Sequence, residues 1–236
     1  MKTESSSILL SPAVPFPSAH PAASRVVSAL EFLFGAFIVI GHNVFHIVPN
    51  EVVVLFFFGL ASIWLRDGRL SSMGFKRPAS WQRILLIALL AAGVRILLGQ
   101  FVIEPITGLF WPPPSAPKFA NEIAGNVKVA LLALLVVWTF AAFGEEISYR
   151  GYLLTRAADV GRRSITAYWL GIVLVSVLFG YGHYYKGTAG IIDSGIAGLI
   201  LGAAYMAADR NLWACILAHG FIDTFAVIDA FFRWSN

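Results

Sequence analysis

The chain has 236 residues, 58% of them hydrophobic and only 13% charged, with a mean hydropathy of +0.76. A soluble domain carries about 25% charged residues, so this composition cannot cover a water-exposed globule and points to an all-α, polytopic transmembrane helical bundle. The single cysteine, Cys215, excludes an intrachain disulfide and a cysteine-rich metal site, and the net charge of +4 sits in short loops, where it sets topology rather than marking a nucleic-acid binder.

Residues 1–24 are rich in Ser, Pro and Ala and lack an apolar run behind a basic start. They read as a mobile tail rather than a cleaved signal peptide, which leaves 25–236 as a single transmembrane domain. Seven apolar segments follow, at about 26–48, 51–65, 84–103, 127–154, 165–185, 188–207 and 211–232, against the roughly 20 residues that span a bilayer. The expectation is about seven spans, within a range of six to eight. The second segment is short because Arg66 and Asp67 stop it. The stretch 104–122 carries Trp-Pro-Pro-Pro at 111–114, which cannot continue a helix, and is expected to be a loop and a lid. With the N-terminus inside, twelve Lys and Arg fall in inner regions and four in outer ones. That asymmetry favours a cytoplasmic N-terminus in a multi-pass protein of the bacterial inner membrane.

The fourth segment ends in Phe143-Gly-Glu-Glu-Ile-Ser-Tyr-Arg150. Carboxylates within a bilayer are costly and mark function. Residues four apart on a helix share a face, so Glu146 and Arg150 are a natural ion pair. Glu145, turned about 100° away, is left to face a cavity. A carboxylate in a low-dielectric pocket suits a general base that activates water near neutral pH. His183 closes the fifth segment with Phe179 one turn earlier, and His219 lies mid-way along the seventh with Asp223 one turn later. His42 and His46 have ligand spacing but no acid in the residues that follow, and read as interfacial residues with a metal pair as the alternative. Glu31, Arg95, Asp193 and Asp229 read as structural partners of groups that the sequence does not name.

Three stretches together, Glu145-Glu146 with Arg150, Phe179 with His183, and His219 with Asp223, resemble the motifs of the CPBP family, the type II CAAX prenyl endopeptidase-like or Abi group of intramembrane proteases. The resemblance spans about 127–225, the protease-like core. It implies an intramembrane endopeptidase that hydrolyses a peptide bond with glutamate- and histidine-activated water. Glu145 would be the base, His183 would hold the water, and His219 with the residue at 223 would stabilise the oxyanion. Glu146, Arg150 and Phe179 would support the site. The prenyl-protein proteases of the family have Asn where this chain has Asp223. An ionised Asp only accepts hydrogen bonds, so either Asp223 carries a proton or it orients His219. The implied substrate is a membrane-associated or prenylated, CAAX-type protein, met as a membrane protein or lipidated peptide in the lipid bilayer. The sequence does not give an oligomeric state.

No cofactor is required by this scheme. Glu145, His183, His219 and Asp223 are also the set that would ligate Zn or another divalent metal, the metalloprotease alternative. Buried Glu, His and Asp are compatible with an ion- or proton-coupled transporter as well, though without the repeated halves such proteins show. A non-catalytic scaffold or bacteriocin-immunity protein is the third reading. Counting residues from the inner turn near 157–163 puts Glu145 and His183 at depths several ångström apart, at about 1.5 Å per residue. Helix four is therefore expected to extend further, or 158–168 to run along the interface. The cavity is expected to open to the cytoplasm.

Overall fold

The computed structural model describes residues 22–111 and 118–232. Every regular element among them is helical. Seven long helices follow one another: α1 (Ala22–Asn43), α2 (Glu51–Asp67), α3 (Trp81–Phe110), α5 (Val127–Val160), α6 (Ile165–Tyr181), α7 (Gly187–Ala207) and α8 (Leu212–Phe232). A short helix, α4 (Lys118–Ile123), precedes α5. Five of the long helices are long and apolar enough to cross a membrane, and α2 and α6 are 17 residues each. The outward faces are apolar, with Leu33 and Leu90 among many large residues left more than half exposed. Helices that satisfy their own backbone and turn aliphatic side chains outward are the bilayer solution. The chain is an integral membrane protein with an all-α fold.

Helix starts follow local chemistry. Asn50, Ser80, Asn126 and Ser164 each accept a hydrogen bond from a backbone N–H three residues on, at 3.1–3.3 Å. Arg66 and Asp67 do not stop α2; they turn inward to ion partners, and the helix ends at Gly68, whose φ of 69° suits the left-handed cap. The stretch expected to be a loop from 104 instead begins as helix. Pro105 cannot donate to the turn before it, and a wider π-helical turn at Gly99–Ile103 absorbs that break, so α3 runs on to Phe110. Residues 112–117, with three prolines of the run, lie outside the described residues, as does the tail up to residue 21, while 118–122 of the expected loop are helical, within α4.

Helix α5 is longer than expected and reaches Val160 before a tight turn at 161–164. That extension, rather than an interfacial segment, carries the depth of Glu145. Its central part, 137–145 and 147–153, is π-helical instead of α-helical. Arg150 lies inside α5, within the expected segment 127–154. Helices α6 and α7 approach closely at Gly198, where a Cβ would come within 2.9 Å of the Ser176 backbone.

The connections alternate between two ends. At one end the 68–80, 161–164 and 208–211 connections interlock: Leu212 N–H donates to Gly74 O at 3.0 Å, and Lys76 Nζ donates to Asp209 O at 3.1 Å. At the other end the 44–50 and 182–186 connections border one cavity. The arginine-rich loops are all at the first end. A cytoplasmic N-terminus and a cavity opening to the cytoplasm therefore cannot both hold.

Candidate active site

Glu146 is fully buried on α5, and its Oε1 receives two bonds. Arg150 Nη1 donates to it at 2.8 Å from the next turn, and His219 Nδ1 lies 2.8 Å away from α8. A second Arg150 nitrogen donates to Gly198 O on α7 at 3.2 Å. One carboxylate thus ties α5 to α8, and its arginine ties α5 to α7. The guanidinium also lies 4.3 Å over the Phe179 ring, a cation–π contact inside the bundle. Phe179 in turn touches Tyr149, His183 and His219, with ring centroids 5.1, 5.0 and 5.9 Å apart.

Glu145 points elsewhere. It lines a cavity of about 190 Å³ together with His183, and its Oε2 is buried with no hydrogen-bond partner. Unpaired buried carboxylate oxygens are rare in native proteins and call for an explanation, such as an unplaced water or a catalytic role. His183 stands just beyond the end of α6, its ring folded back so that Nδ1 meets Phe179 O at 3.0 Å. That contact leaves its other nitrogen for the cavity. Gly182 beside it has no room for a side chain, because a Cβ there would come within 2.8 Å of the Tyr149 hydroxyl.

His219 and Asp223 do not line that cavity. They stand on α8, joined to it through Glu146 and Phe179, and His219 Nε2 lies 3.5 Å from Asp223 Oδ2. The structure thus brings Glu145 to His183 and Glu146 to Arg150 and His219, with Phe179 between the two histidines. Among the described residues no group of three or more His, Cys, Asp or Glu side chains is placed to hold a metal ion. The set Glu145, His183, His219 and Asp223 is divided between the cavity and the Glu146 hub, so it does not form a ligand cage in this arrangement.

Several cavity residues are not read from the sequence as part of the site, and His42, read there as interfacial with a metal pair as the alternative, is one of them. His42, Asn43, Asn50 and Glu51 come from the α1–α2 connection, and Tyr149 and Tyr185 complete the wall. Glu51 answers His42, at 3.1 Å from its Nε2, although it lies nine positions away and is not on the same helix. The available signal was four polar residues at one connection, at the same end as His183. His46 is not part of this group.

The fold and the site define a polytopic membrane protein with a buried carboxylate–histidine constellation at one end of its bundle. Residues 127–225 match the model of the family described as type II CAAX prenyl endopeptidase Rce1-like. That match, confined to those residues, makes this part of the chain similar to the CPBP, or CAAX protease, family and supports the resemblance carried by its three motifs. No curated protein and no solved structure matches the chain.

Proposed function

We propose that the chain is an intramembrane endopeptidase in which Glu145 activates the attacking water. The observation that carries this reading is the partnerless carboxylate oxygen of Glu145 in a cavity shared with His183. A water placed between them gives its proton to Glu145 and attacks a peptide carbonyl. General-base catalysis of this kind contributes about 10²–10⁴-fold. His219, whose Nδ1 donates to Glu146, is the donor for the oxyanion through Nε2, which leaves its 3.5 Å contact with Asp223 Oδ2 when the substrate carbonyl extends from the cavity toward α8. Such donors contribute about 10²–10³-fold each. Glu146 and Arg150 act by position, fixing α5 against α7 and α8.

The substrate is a membrane-associated or lipidated protein, with a prenylated CAAX-type peptide as the case that the family name supports. The protein sits in a bacterial inner membrane with its N-terminus inside, as the Lys and Arg asymmetry favours. The cavity then opens on the outer side, away from the arginine-rich loops.

The test is peptide cleavage in detergent on a peptide library, comparing wild type with Glu145→Ala and His183→Ala. Cleavage by the wild type alone is expected. Equal cleavage by all three proteins overturns the assigned mechanism, and no cleavage by the wild type overturns the protease reading. A chelator arm decides the metal question, with unchanged cleavage expected.

A further inference from the structure

The cavity that holds Glu145 has a second carboxylate in its wall, and that carboxylate has a histidine partner. His42, at the end of α1, and Glu51, the first residue of α2, are brought together by the 44–50 connection. His42 Nδ1 is 2.9 Å from Val48 O. A carbonyl oxygen only accepts, so Nδ1 carries a hydrogen. The other nitrogen, Nε2, is 3.1 Å from Glu51 Oε2. Two bare lone pairs at that distance would repel, so a proton lies between them, on nitrogen or on oxygen. In either form the pair holds one transferable proton. Glu51 is 7% exposed, whereas the His42 side chain is one-third exposed at the cavity mouth. Water can therefore reload the pair from outside, while its inner member faces the same space as Glu145 and His183.

The acids at the far end, Asp159, buried, and Glu31 and Asp67, partly buried, are answered by arginines. Arginine does not release its proton in a protein. A histidine in the same role can. Amide cleavage needs such a group, because the nitrogen leaves as an amine only if it gains a proton as the C–N bond breaks. Glu145 collects its proton on the water's side of the carbonyl. The α1–α2 connection supplies a different wall of the cavity.

We propose, resting on the protease reading above, that His42 and Glu51 form the general acid of the reaction and protonate the leaving amine. Water oxygen bonds to the carbonyl carbon, its proton passes to Glu145, and the π pair moves to oxygen. The carbonyl re-forms, the C–N bond breaks, and the nitrogen pair takes the one proton that the His42–Glu51 pair holds, delivered from its inner member, Glu51. The proton on Glu145 returns through cavity water to the His42–Glu51 pair. One water is consumed, one carboxylic acid and one amine appear, and all protein groups regain their starting state.

The experiment uses the full chain in detergent, with the best-cleaved library peptide and a thioester analogue of the same sequence at the scissile bond. A thiolate leaves without prior protonation, its conjugate thiol having a pKa of about 8.5. His42→Gln and Glu51→Gln are expected to lower kcat on the amide by about 100-fold with little change in KM, and to cleave the thioester at nearly the wild-type rate. Glu145→Gln is expected to lose both. Equal losses on amide and thioester in both His42 and Glu51 variants would mark a structural role and overturn the inference, as would full amide activity in either. Failure of the wild type on the amide overturns the protease reading, and this inference with it. The pattern among the variants tests the inference alone.

Discussion

Two buried charge clusters sit at opposite ends of the bundle, and they are built to different rules. At the arginine-rich end, Glu31, Asp67 and Asp159 meet Arg66, Arg156 and Arg163. Both oxygens of each of those three acids have a partner, with Ser28 and Ser62 adding hydroxyl contacts. The cluster joins α1, α2 and α5. At the cavity end, Glu145 and Glu146 each keep one buried oxygen with no hydrogen-bond partner, and the partners include histidines. A satisfied network gives a rigid, specific structure, while a partly satisfied one is costly and is kept where function needs it. The first cluster is a clasp, in which even Arg66 Nη1, short of a hydrogen bond, has its ion partner Glu31 Oε1 at 3.1 Å, and the second leaves two carboxylate oxygens with neither.

That contrast predicts opposite mutational signatures. Glu145→Gln removes the proposed base and keeps the shape, so activity is expected to fall by about 10²–10⁴-fold while the thermal midpoint in detergent stays near the wild-type value. A large drop in the midpoint would show Glu145 to be part of a clasp as well. Arg156→Leu does the reverse. It takes one of two arginine partners from each of Glu31, Asp67 and Asp159, and breaking a buried pair from one side costs about 3–5 kcal/mol. Thermal unfolding reads that loss, and the fraction that remains folded is expected to keep its specific activity. Ser62→Ala is milder. Its hydroxyl accepts from Arg156 Nε and Nη2 at 3.1 and 2.9 Å and donates to Glu31 at 2.6 Å. Leaving those groups short of one partner costs about 1–3 kcal/mol, again with activity per folded molecule unchanged.

The two ends were unequally legible in the sequence. Long apolar runs reveal the helices, because length and hydropathy are local properties. The Glu146–Arg150 contact is legible for the same reason, since four-residue spacing needs only one helix. The bond from Glu146 to His219 spans 73 positions and two different helices, and nothing local encodes it. The same holds for Arg156, whose partners at Glu31 and Asp67 belong to α1 and α2. In the sequence Arg66, Arg156 and Arg163 read as loop charges. The fold turns them inward, because acids from neighbouring helices make burial affordable. His42 read as interfacial for want of an acid in the residues that follow. Its acid starts the next helix, and only the closed α1–α2 connection brings Glu51 to it. The π-helical turns around Glu145 have no residue signature, so the α-helical angle between the two glutamates was the natural expectation.

The smallest perturbation separates the two ends without disturbing either. Cys215 is fully buried on α8, with its Sγ 3.3 Å from Leu201 O, so an impermeant thiol reagent meets no native target on the surface of the described fold. Ser71→Cys places a thiol at the arginine-rich end and Thr188→Cys places one beside the cavity end, both at exposed positions. Neither side chain belongs to the clasp or the cavity wall, so stability and cleavage are expected to stay at wild-type levels. In sealed right-side-out vesicles Thr188→Cys is expected to react and Ser71→Cys to be protected until the membrane is opened, because the Lys and Arg asymmetry keeps the clasp end inside. Labelling of both from one side would break the two-ended architecture. The reversed pattern would keep the architecture and turn the cavity to the cytoplasm, which would mean that arginines committed to buried acids, as Arg66, Arg156 and Arg163 are, do not count toward orientation.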